Sequence, residues 1–549
     1  MIKPKLKDEI KKAASEAGYS DLVDFDISLP PDPKMGDFAT NIALVIGAEN
    51  KIKPSDLTQK IGAELEKSQV IDQTSIAGAG FINIVVNPHI YYQELKKILS
   101  EKNNYGKSSQ GLDKKVSIDY ISANPTGPVH IGNARGGPIG ETISNLLEFC
   151  GYKVSREFYV NDVGVQITRL GETLYYWLEK ENHNDLPFPK DGYKGEYLKG
   201  ITEQIQSKCQ SELTAIKNKD EVIQFLIGKG MEILIGNIKE EVALLNIKFD
   251  QWVSESEIQK SGLAEKTIAC LKEVGATTNF EGAVWFKNPA DPKFEDKESV
   301  LVKSDEEKSF TYFTDDLAYH IDRFDKGFDL IVDLWGANHH GHIPRMKSAL
   351  LALGISEDRI QILLYQFIRL KNGEEILKMS KRLGNFVTLR QVLDGGVTPD
   401  AFKYFILSQN MNTPFDFDIE LAKEQSEKNP VYYIQYAHAR IESILRKAGD
   451  IKIAEPDLSL LKNDKEINLI KALALWPDIV EEAANNFQVQ SLPHYAYKLA
   501  TLFHDFYTNC QVLSDDKKMT ASRLSLIKAA QIVLKNVLSI CGITAPEKM

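Results

Sequence analysis

The sequence has 549 residues, which is too long for one hydrophobic core and predicts about three or four domains. Hydrophobic residues make up 43% and charged residues 26%, as in ordinary globular proteins, and no apolar run approaches the roughly 20 residues that span a bilayer. The formal net charge is −11, but residues 431–549 hold 14 Lys and Arg against 13 Asp and Glu. The acidity therefore lies in the first part of the chain, and the overall charge does not exclude a nucleic-acid partner.

Cysteine usage and the N-terminal stretch bear on location. The stretch "MIKPKLKDEIKKAASEAGY" has the pattern of an amphipathic helix, with acidic residues and no apolar centre, so we expect neither a secretory signal nor a transit peptide. The cysteines contain no CxxC pair, which argues against a disulfide framework or a zinc site and predicts a cytoplasmic protein without membrane association. The five positions are Cys150, Cys209, Cys270, Cys510 and Cys541.

Residues 1–110 have the pattern of a small α+β module. The opening helix is followed by polar loops, a helical stretch "SDLTQKIGAELEK" and a strand "GFINIVV". The polar stretch "SEKNNYGKSSQGLDKK" then predicts a linker to the next domain.

The pattern changes at Val116, within a predicted parallel-sheet domain of residues 111–390. The stretch "VSIDYI" predicts a buried strand, "ARGGPIGETISNLLEFCGY" a helix ended by Gly151, and "KVSREFYV" a second strand. Such a βαβ unit implies a parallel sheet with a right-handed crossover. Residues from about 165 to 300 are charged and helical in periodicity, which predicts an insertion, and the sheet resumes with "FDLIVDLWG" and "IQILLYQFIRL".

Almost everything after residue 390 has helical periodicity. We expect a connecting helical segment over residues 391–430 and an all-α domain over residues 431–549. The aromatic stripe "VYYIQYAHAR" is, at this spacing, mostly helix core.

The stretch "SANPTGPVHIGNARGG" lies between the first predicted strand and its helix. Ligands of open parallel sheets bind beyond the carboxyl ends of the strands, and His130 would lie there at a helix N-terminus that favours phosphate. Gly127 and Gly132 would allow a close approach of backbone or ligand. An isolated HxGN tetrapeptide is, however, more often a loop histidine that caps a helix.

A second candidate is the basic stretch "LKMSKRLGN". Lys378 and Lys381 lie three residues apart with Ser380 between them, and Gly373 and Gly384 flank the stretch. Such a loop can bring two ammonium groups to a polyphosphate, although a short basic run by itself is usually a solvated surface loop.

Three further residues indicate a cationic ligand. Asp119 ends the first predicted strand, and Tyr312 and Asp316 lie four residues apart, on one face of a predicted helix. Two carboxylates and an aromatic ring suit a guanidinium, which forms bidentate hydrogen bonds and stacks on rings. Taken singly, each of these residues is as readily a surface aspartate or a core tyrosine.

Together, His130-Ile131-Gly132-Asn133 and Lys378-Met379-Ser380-Lys381-Arg382, about 250 residues apart, resemble the HIGH and KMSKS signatures of class I aminoacyl-tRNA synthetases. Both signatures depart in the last letter, with Asn133 for His and Arg382 for Ser. Further stretches resemble the arginyl-tRNA synthetase family over nearly the whole chain: "GYKVSREFYVNDVGVQI", "WGANHHGHIPRMKSAL", "NPVYYIQYAHARI" and "APEKM". The resemblance implies a multidomain α/β protein: a Rossmann-like parallel-sheet catalytic core, an N-terminal α+β module that grips the tRNA elbow and an all-α anticodon-binding domain.

The resemblance also implies roles for individual residues. The arginine-binding positions would be Asp119 and Asp316 on the guanidinium, Tyr312 beside it, Ser122 and Asn124 at the α-amino and carboxylate end, and Asn338 in "WGANHH". The ATP-binding positions would be His130, Gly132, Asn133, Lys378, Met379, Ser380 and Lys381, of which His130, Asn133, Lys378 and Lys381 are the catalytic ones. Asn83 would contact a base of the tRNA D-loop.

The implied reaction is the activation of L-arginine by ATP, with Mg²⁺ on the ATP phosphates, and transfer of arginine to the terminal adenosine of tRNA(Arg). The arginine carboxylate is itself the nucleophile, so we expect the protein to supply alignment and charge stabilisation rather than a base. The family further implies that activation requires bound tRNA. We expect a monomer with no metal site of its own and no editing domain.

Several alternatives remain at this point. The segment with His339, His340 and His342 could suggest a metal site, but no carboxylate–Cys pattern completes a ligand set. No GxxxxGK[ST] motif supports a P-loop ATPase. The other candidates are a class I synthetase of different specificity, a nucleotidyltransferase that adenylates a small carboxylate, and a non-catalytic RNA-binding relative.

Overall fold

The structure is a computed structural model. It describes residues 1–20, 24–182, 184, 186–289, 299–306, 309–373, 375–377, 387–449 and 456–549. The predicted ATP-binding residues Lys378, Met379, Ser380 and Lys381, and Arg382 beside them, lie outside the described residues.

In chain order, the helices are α1 (Ile2–Glu16), α2 (Ile42–Asn50), α3 (Pro54–Leu65), α4 (Pro88–Glu101), α5 (Ile131–Ala134), α6 (Gly136–Phe149), α7 (Val165–Glu181), α8 (Tyr197–Ala215), α9 (Lys219–Ala243), α10 (Glu255–Lys260), α11 (Leu263–Glu273), α12 (Tyr312–Asp325), α13 (His342–Ala352), α14 (Leu389–Asp394), α15 (Pro399–Leu407), α16 (Ile419–Lys423), α17 (Pro430–Ala448), α18 (Asp464–Ala474), α19 (Trp476–Asn486), α20 (Ser491–Asn509) and α21 (Lys517–Ile540). The strands are β1 (Ile27–Ser28), β2 (Phe38–Thr40), β3 (Ile71–Ala77), β4 (Phe81–Val86), β5 (Lys115–Asp119), β6 (Lys153–Val160), β7 (Gln251–Ser254), β8 (Thr277–Phe280), β9 (Ala283–Phe286), β10 (Val300–Val302), β11 (Leu330–Gly336), β12 (Ile360–Tyr365), β13 (Ile368–Asn372), β14 (Glu375–Leu377) and β15 (Phe415–Asp418).

The N-terminal part is an antiparallel sheet in the order β1-β2-β4-β3, accompanied by helices. Helix α1 buries Ile2, Leu6 and Ile10, whose spacing of four residues is that of one helical face. The amphipathic helix predicted at the N-terminus is therefore present, with its apolar side packed in the core.

The predicted linker after α4 is more closely packed than its polar composition indicated. Tyr105 is fully buried, its hydroxyl donates to Glu94, and its carbonyl accepts from the indole of Trp476. Because Trp476 starts α19, this segment is attached to the C-terminal helices and does not form a free tether.

A five-stranded parallel sheet in the order β12-β11-β5-β6-β7 forms the centre of the molecule. The βαβ unit predicted from the sequence is present as β5, α5–α6 and β6. A side chain at Gly140 would collide with the Tyr120 ring, so glycine lets α6 pack closely on the end of β5.

Two features of this sheet differ from the sequence interpretation. Strand β7 lies inside the range predicted as an insertion, and its four partly exposed residues are too few to show strand periodicity. The stretch "IQILLYQFIRL" is two strands in different sheets: β12 completes the parallel sheet, whereas β13 pairs with β14 and β15.

The rest of residues 165–300 consists of helices α7 to α11 and a small antiparallel sheet in the order β10-β9-β8. The C-terminal part is the helical group α17–α21. In α17 the stripe "VYYIQYAHAR" is mostly core, with Val431, Ile434 and Ala437 buried.

Candidate active site

The carboxyl ends of the parallel strands bring acidic residues to one edge of the sheet. Asp119 and Asp333 end up opposite each other, in register on β5 and β11. Glu255 follows β7 directly, and Asp162 follows β6 after one residue. Because all five strands are parallel, these side chains lie at the edge where ligands of such sheets bind.

A strained turn holds Asp119 in place. The Ser122 hydroxyl donates to Asp119 over 2.5 Å and accepts from the Tyr159 backbone N–H over 2.9 Å. Ile121 and Ser122 have φ values of +67° and +35°, which is unusual for non-glycine residues and costly for a β-branched one. One lone pair of the Ser122 hydroxyl remains for a further donor, such as an ammonium group.

Two carboxyls near Asp119, the buried Glu255 and the partly buried Asp316, have like charges around them. Burial raises the pKa of Asp316 to about 6. Burial, followed by repulsion from Asp316 and Asp315, raises the pKa of Glu255 to about 8. Burial, followed by Asp333, also raises the pKa of Asp119. We refer to Asp119, Asp316 and Glu255 as the carboxylate cluster.

The Tyr159 hydroxyl lies in the middle of these acids. It is buried and, in the part of the chain that the structure covers, has no hydrogen-bond partner. Burial raises the pKa of this hydroxyl above its usual range, and four carboxylates near it raise it further. They are Asp316, Glu255, Asp315 and Asp119. This is an electrostatic environment that stabilises a cation.

The nearest internal guanidinium is already paired. Arg323 donates to both oxygens of Asp333, over 2.8 and 3.2 Å, and stacks on the Tyr319 ring at 4.0 Å. His320 joins the same carboxylate over 2.6 Å. Although burial alone would raise it, the Arg323 guanidinium and His320 hold the pKa of Asp333 below its usual range. The guanidinium of Arg323 is hydrogen-bonded to Asp333, and its charge also lowers the pKa of Asp119 and Asp316, but burial still leaves both of these pKa values raised.

His130 occupies the N-cap of α5. Its Nδ1 accepts from the Asn133 backbone N–H over 3.2 Å. An acceptor at Nδ1 places the hydrogen of the neutral ring on Nε2, so the ring is a donor at Nε2. The capping histidine and the phosphate donor, which the sequence left as alternatives, are thus compatible in one side chain.

The segment around His130 pairs with the chain directly after the basic stretch. His130 forms a bridge with Thr388, Ile131 N–H donates to the Val387 carbonyl over 3.1 Å, and Leu389 N–H donates to the Val129 carbonyl over 2.9 Å. The described chain therefore resumes, at Val387, beside the segment of His130.

A cavity of about 550 Å³ opens in front of His130. Asn124 and Asn133 line it, and Gly127 approaches Tyr197 so closely that a Cβ would lie 2.8 Å from the Tyr197 hydroxyl. The opposite wall comes from the helical insertion and includes basic residues that the sequence analysis did not select. These are Arg169, Lys190 and Lys194.

The other residues predicted from the sequence lie in several parts of the structure. Tyr312 begins α12, is 53% exposed, and has its hydroxyl against Gly164; Asp316 lies one turn further along the same helix. Asn338 is exposed after β11. Gly132 packs on the His130 ring, with an added Cβ 3.0 Å from it. Asn83 lies in the N-terminal sheet, between β2 and β3, and is 5% exposed.

The described residues contain neither a candidate metal site nor a candidate membrane span. No group of three or more His, Cys, Asp or Glu side chains in them is arranged to hold a metal ion, which includes the segment with His339, His340 and His342. None of the helices in these residues is both long and apolar enough to cross a bilayer.

Glu255 and Tyr159 are absent from the sequence prediction. Glu255 stands in "VSESEIQK", where nothing distinguishes it from the acids of an ordinary helix start. Tyr159 stands in the strand "KVSREFYV", where an aromatic residue is ordinarily part of the core. Only the folded sheet places them beside Asp119.

Comparison with protein families defines the class first. The family described as "tRNA synthetases class I (R), catalytic domain" matches residues 94–412, so the core is a class I aminoacyl-tRNA synthetase domain. "Arginyl tRNA synthetase N terminal domain" matches residues 4–86, and "DALR anticodon binding domain" matches residues 434–549. The chain belongs to the arginyl-tRNA synthetase family.

Individual relatives agree with this assignment. The arginine–tRNA ligases of Shouchella clausii and Staphylococcus carnosus are each 39% identical to this chain, and the match covers 100% of this chain and 99% of theirs. An arginyl-tRNA synthetase structure from Campylobacter jejuni is 31% identical, with a TM-score of 0.76, over 84% of this chain and 100% of that one. The Thermus thermophilus arginyl-tRNA synthetase, 21% identical over the full length of both chains, has the same fold with a TM-score of 0.78.

Proposed function

We propose that this chain activates L-arginine with ATP to arginyl-adenylate and transfers the arginine to the 3′-terminal adenosine of tRNA(Arg), releasing pyrophosphate and AMP. The family membership supports the reaction, and the roles of the residues below are our assignments. The observation that carries the specificity is the carboxylate cluster, in which the acids lie close together and, among the described residues, none is hydrogen-bonded to a Lys or Arg side chain.

The cluster provides the arginine side-chain pocket. Asp119 and Asp316, with Glu255 beside them, accept hydrogen bonds from the guanidinium, whose charge opposes the burial and the repulsion that raise their pKa values. The Tyr159 hydroxyl lies among the same acids, and Tyr312 flanks the pocket. A neutral side chain of the same length would leave these acids unneutralised, which supports selection of arginine.

The other end of the amino acid lies toward His130. Ser122, which has a free lone pair, accepts from the α-ammonium group, and Asn124 contacts the carboxylate end. Asn338, at the end of β11, completes the arginine site. This orientation directs the substrate carboxylate toward the cavity of about 550 Å³ in which His130 and Asn133 lie.

The phosphates of ATP occupy that cavity. His130 donates from Nε2 and Asn133 from its amide, while Gly132 leaves room at the start of the helix. Lys378 and Lys381 neutralise the pyrophosphate that leaves, with Met379 and Ser380 completing the basic stretch. The arginine carboxylate attacks the α-phosphorus, so the residues align the reactants and stabilise charge, and none acts as a base.

Mg²⁺ enters with ATP, since polyphosphate carries this ion. The donors around His130 are N–H groups, which suit phosphate oxygens and not a cation, and the metal therefore needs no ligand from them. For tRNA we assign Asn83 of the N-terminal module to the D-loop and helices α17–α21 to the anticodon arm. We further propose that the protein acts as a monomer in the cytoplasm.

The test is ATP–pyrophosphate exchange with each of the twenty amino acids, with and without total tRNA. Exchange with arginine alone, and only when tRNA is present, is the expected result. Exchange with another amino acid would replace the proposed specificity. Exchange with arginine in the absence of tRNA would keep the enzyme and remove the tRNA requirement, and no exchange with any amino acid would contradict the proposal.

A further inference from the structure

Arg135 stands between α5 and α6, two residues after the HIGN stretch, and is fully buried. Its Nη1 donates to the carbonyls of Gln366 and Phe367, over 2.5 and 3.3 Å. Its Nη2 donates to the carbonyls of Asn410 and Thr413, each over 3.1 Å. One side chain therefore joins three separate segments of the chain.

This guanidinium has an unusual set of partners for a buried charge. Every acceptor to which it donates a hydrogen bond in the described chain is a backbone carbonyl. The Cζ atom of Arg135 lies 4.9 Å from the centre of the Phe415 ring. Burial lowers the pKa of Arg135 to about 10, so it remains charged at neutral pH. A buried charge without a counter-ion is costly, and a neutral hydrophobic residue would suit a purely structural position better.

The segments that Arg135 joins flank strands of the small sheet that directly precedes the basic stretch in the sequence. Gln366 and Phe367 connect β12 to β13, and Asn410 and Thr413 lie in the turn before β15. Strand β13 pairs with both β14 and β15, and β14 is the last strand before Lys378. On the far side of the basic stretch, Val387 and Thr388 pair with the segment of His130.

The geometry points to Arg135 as a positioning residue for amino-acid activation: it holds the β13–β14–β15 sheet in a fixed position against the HIGN helix, and β14 ends at Leu377, which directly precedes Lys378 in the sequence. It touches neither substrate. This inference rests on the proposed function, in which His130 and Lys381 bind the same triphosphate. Lysine would not replace it, because a single ammonium cannot meet four carbonyls lying around a planar fork.

The experiment is a double-mutant cycle between Arg135→Lys and Lys381→Ala. It is read as the kcat of arginine-dependent pyrophosphate exchange per active site, with tRNA present. If Arg135 acts by placing the basic stretch, Arg135→Lys lowers kcat about 10- to 100-fold in the native background and less than about twofold in Lys381→Ala, because a lysine that is absent cannot be misplaced. The KM for arginine stays within about twofold, since the carboxylate cluster lies on β5, α10 and α12 and not on this sheet.

Arg156→Lys is the matched control. Arg156 lies on β6 and joins the same helix α6, through Glu141 and Glu148, but it contacts no part of the β13–β14–β15 sheet among its hydrogen bonds. This variant is expected to lower the free energy of unfolding without changing kcat per active site. An equal loss of kcat in Arg156→Lys would reduce Arg135 to a general packing residue and overturn the inference.

Two outcomes separate this inference from the proposed function. An unchanged kcat in Lys381→Ala would contradict the proposed role of the basic stretch. A loss of kcat from Arg135→Lys that is equal in the native and Lys381→Ala backgrounds, or absent from both, would contradict only the role of Arg135. If Arg135→Lys does not fold, Phe415→Leu removes the ring that stacks on the guanidinium and is put through the same cycle. A smaller loss that vanishes in Lys381→Ala is then expected, and an additive loss overturns the inference.

Discussion

Asp119 and Asp333 are paired in register on neighbouring parallel strands, yet their electrostatic environments are opposite. Asp333 is 1% exposed and bound by Arg323 and His320, which hold its pKa below the usual range. Asp119 is 6% exposed and lies among other acids, and its pKa is raised by burial and by Asp333 itself. The two carboxyls occupy equivalent positions in the sheet and differ only in what α12 and the loops bring to them.

The difference separates a buried ion pair of the fold from the carboxylate cluster that we propose as the arginine site. The guanidinium of Arg323 forms its hydrogen bonds with Asp333, and in our proposal the guanidinium of arginine, charged at every relevant pH, does the same for Asp119, Asp316 and Glu255. If so, the cluster has a cost in stability in the free protein that the substrate removes.

The largest expected effect is that of replacing Asp333, the carboxyl that is paired with Arg323. Asp333→Asn leaves Arg323 buried without its counter-ion and should lower the free energy of unfolding by about 3–5 kcal/mol, measured by urea denaturation. Asp329→Asn, at the exposed amino end of the same strand, is the control and should change it by less than about 1 kcal/mol. Equal effects of the two substitutions would remove the distinction between the two carboxyls.

In the carboxylate cluster, Asp316→Ala should weaken arginine binding without destabilising the fold. Loss of one guanidinium partner in a closed site costs about 3 kcal/mol, so the KM for arginine should rise roughly 100-fold. The free energy of unfolding should be unchanged or raised, because a like charge is removed from the cluster. An unchanged KM for arginine would contradict the assignment of the pocket.

A third substitution tests the phosphate side, where no buried acid is involved. His130→Ala should lower kcat roughly 30- to 100-fold, since one donor to the developing charge is lost, with little change in the KM for arginine. Pre-steady-state measurement of adenylate formation would show the loss in the chemical step. A near-normal kcat would mean that His130 only caps its helix.

The smallest expected effect on arginine binding is that of pH. Glu255 and Asp316 have raised pKa values when folded, about 8 and about 6, so the folded protein binds more protons than the unfolded chain above the ordinary carboxyl pKa of about 4. The stability of the free protein should therefore fall as pH rises from about 4 to 8, and the KM for arginine should fall about tenfold from pH 6 to pH 8 as the cluster ionises. Thermal unfolding with and without arginine measures both trends; a larger stabilisation by arginine at pH 6 than at pH 8 would contradict them.

Sequence patterns predicted the parts of this site that local chemistry defines. Asp119 ends a buried strand and His130 starts a helix, and both positions follow from periodicity that extends over only a few residues. Tyr312 and Asp316 lie on one helix, as their spacing indicated. Strand β7 and Glu255 were missed because four residues hold too little periodic signal, and Tyr159 because a strand tyrosine is ordinarily core.

By itself, the sequence determined which side chains stand at the strand and helix ends and that two stretches predicted to bind phosphate lie about 250 residues apart. The tertiary structure alone decided that Arg323 forms its ion pair with Asp333, the register partner of Asp119, and that Arg135 joins three distant segments. The reason is physical: helix and strand periodicity depend on neighbours along the chain, whereas desolvation and Coulomb interactions depend on burial and on distance in space.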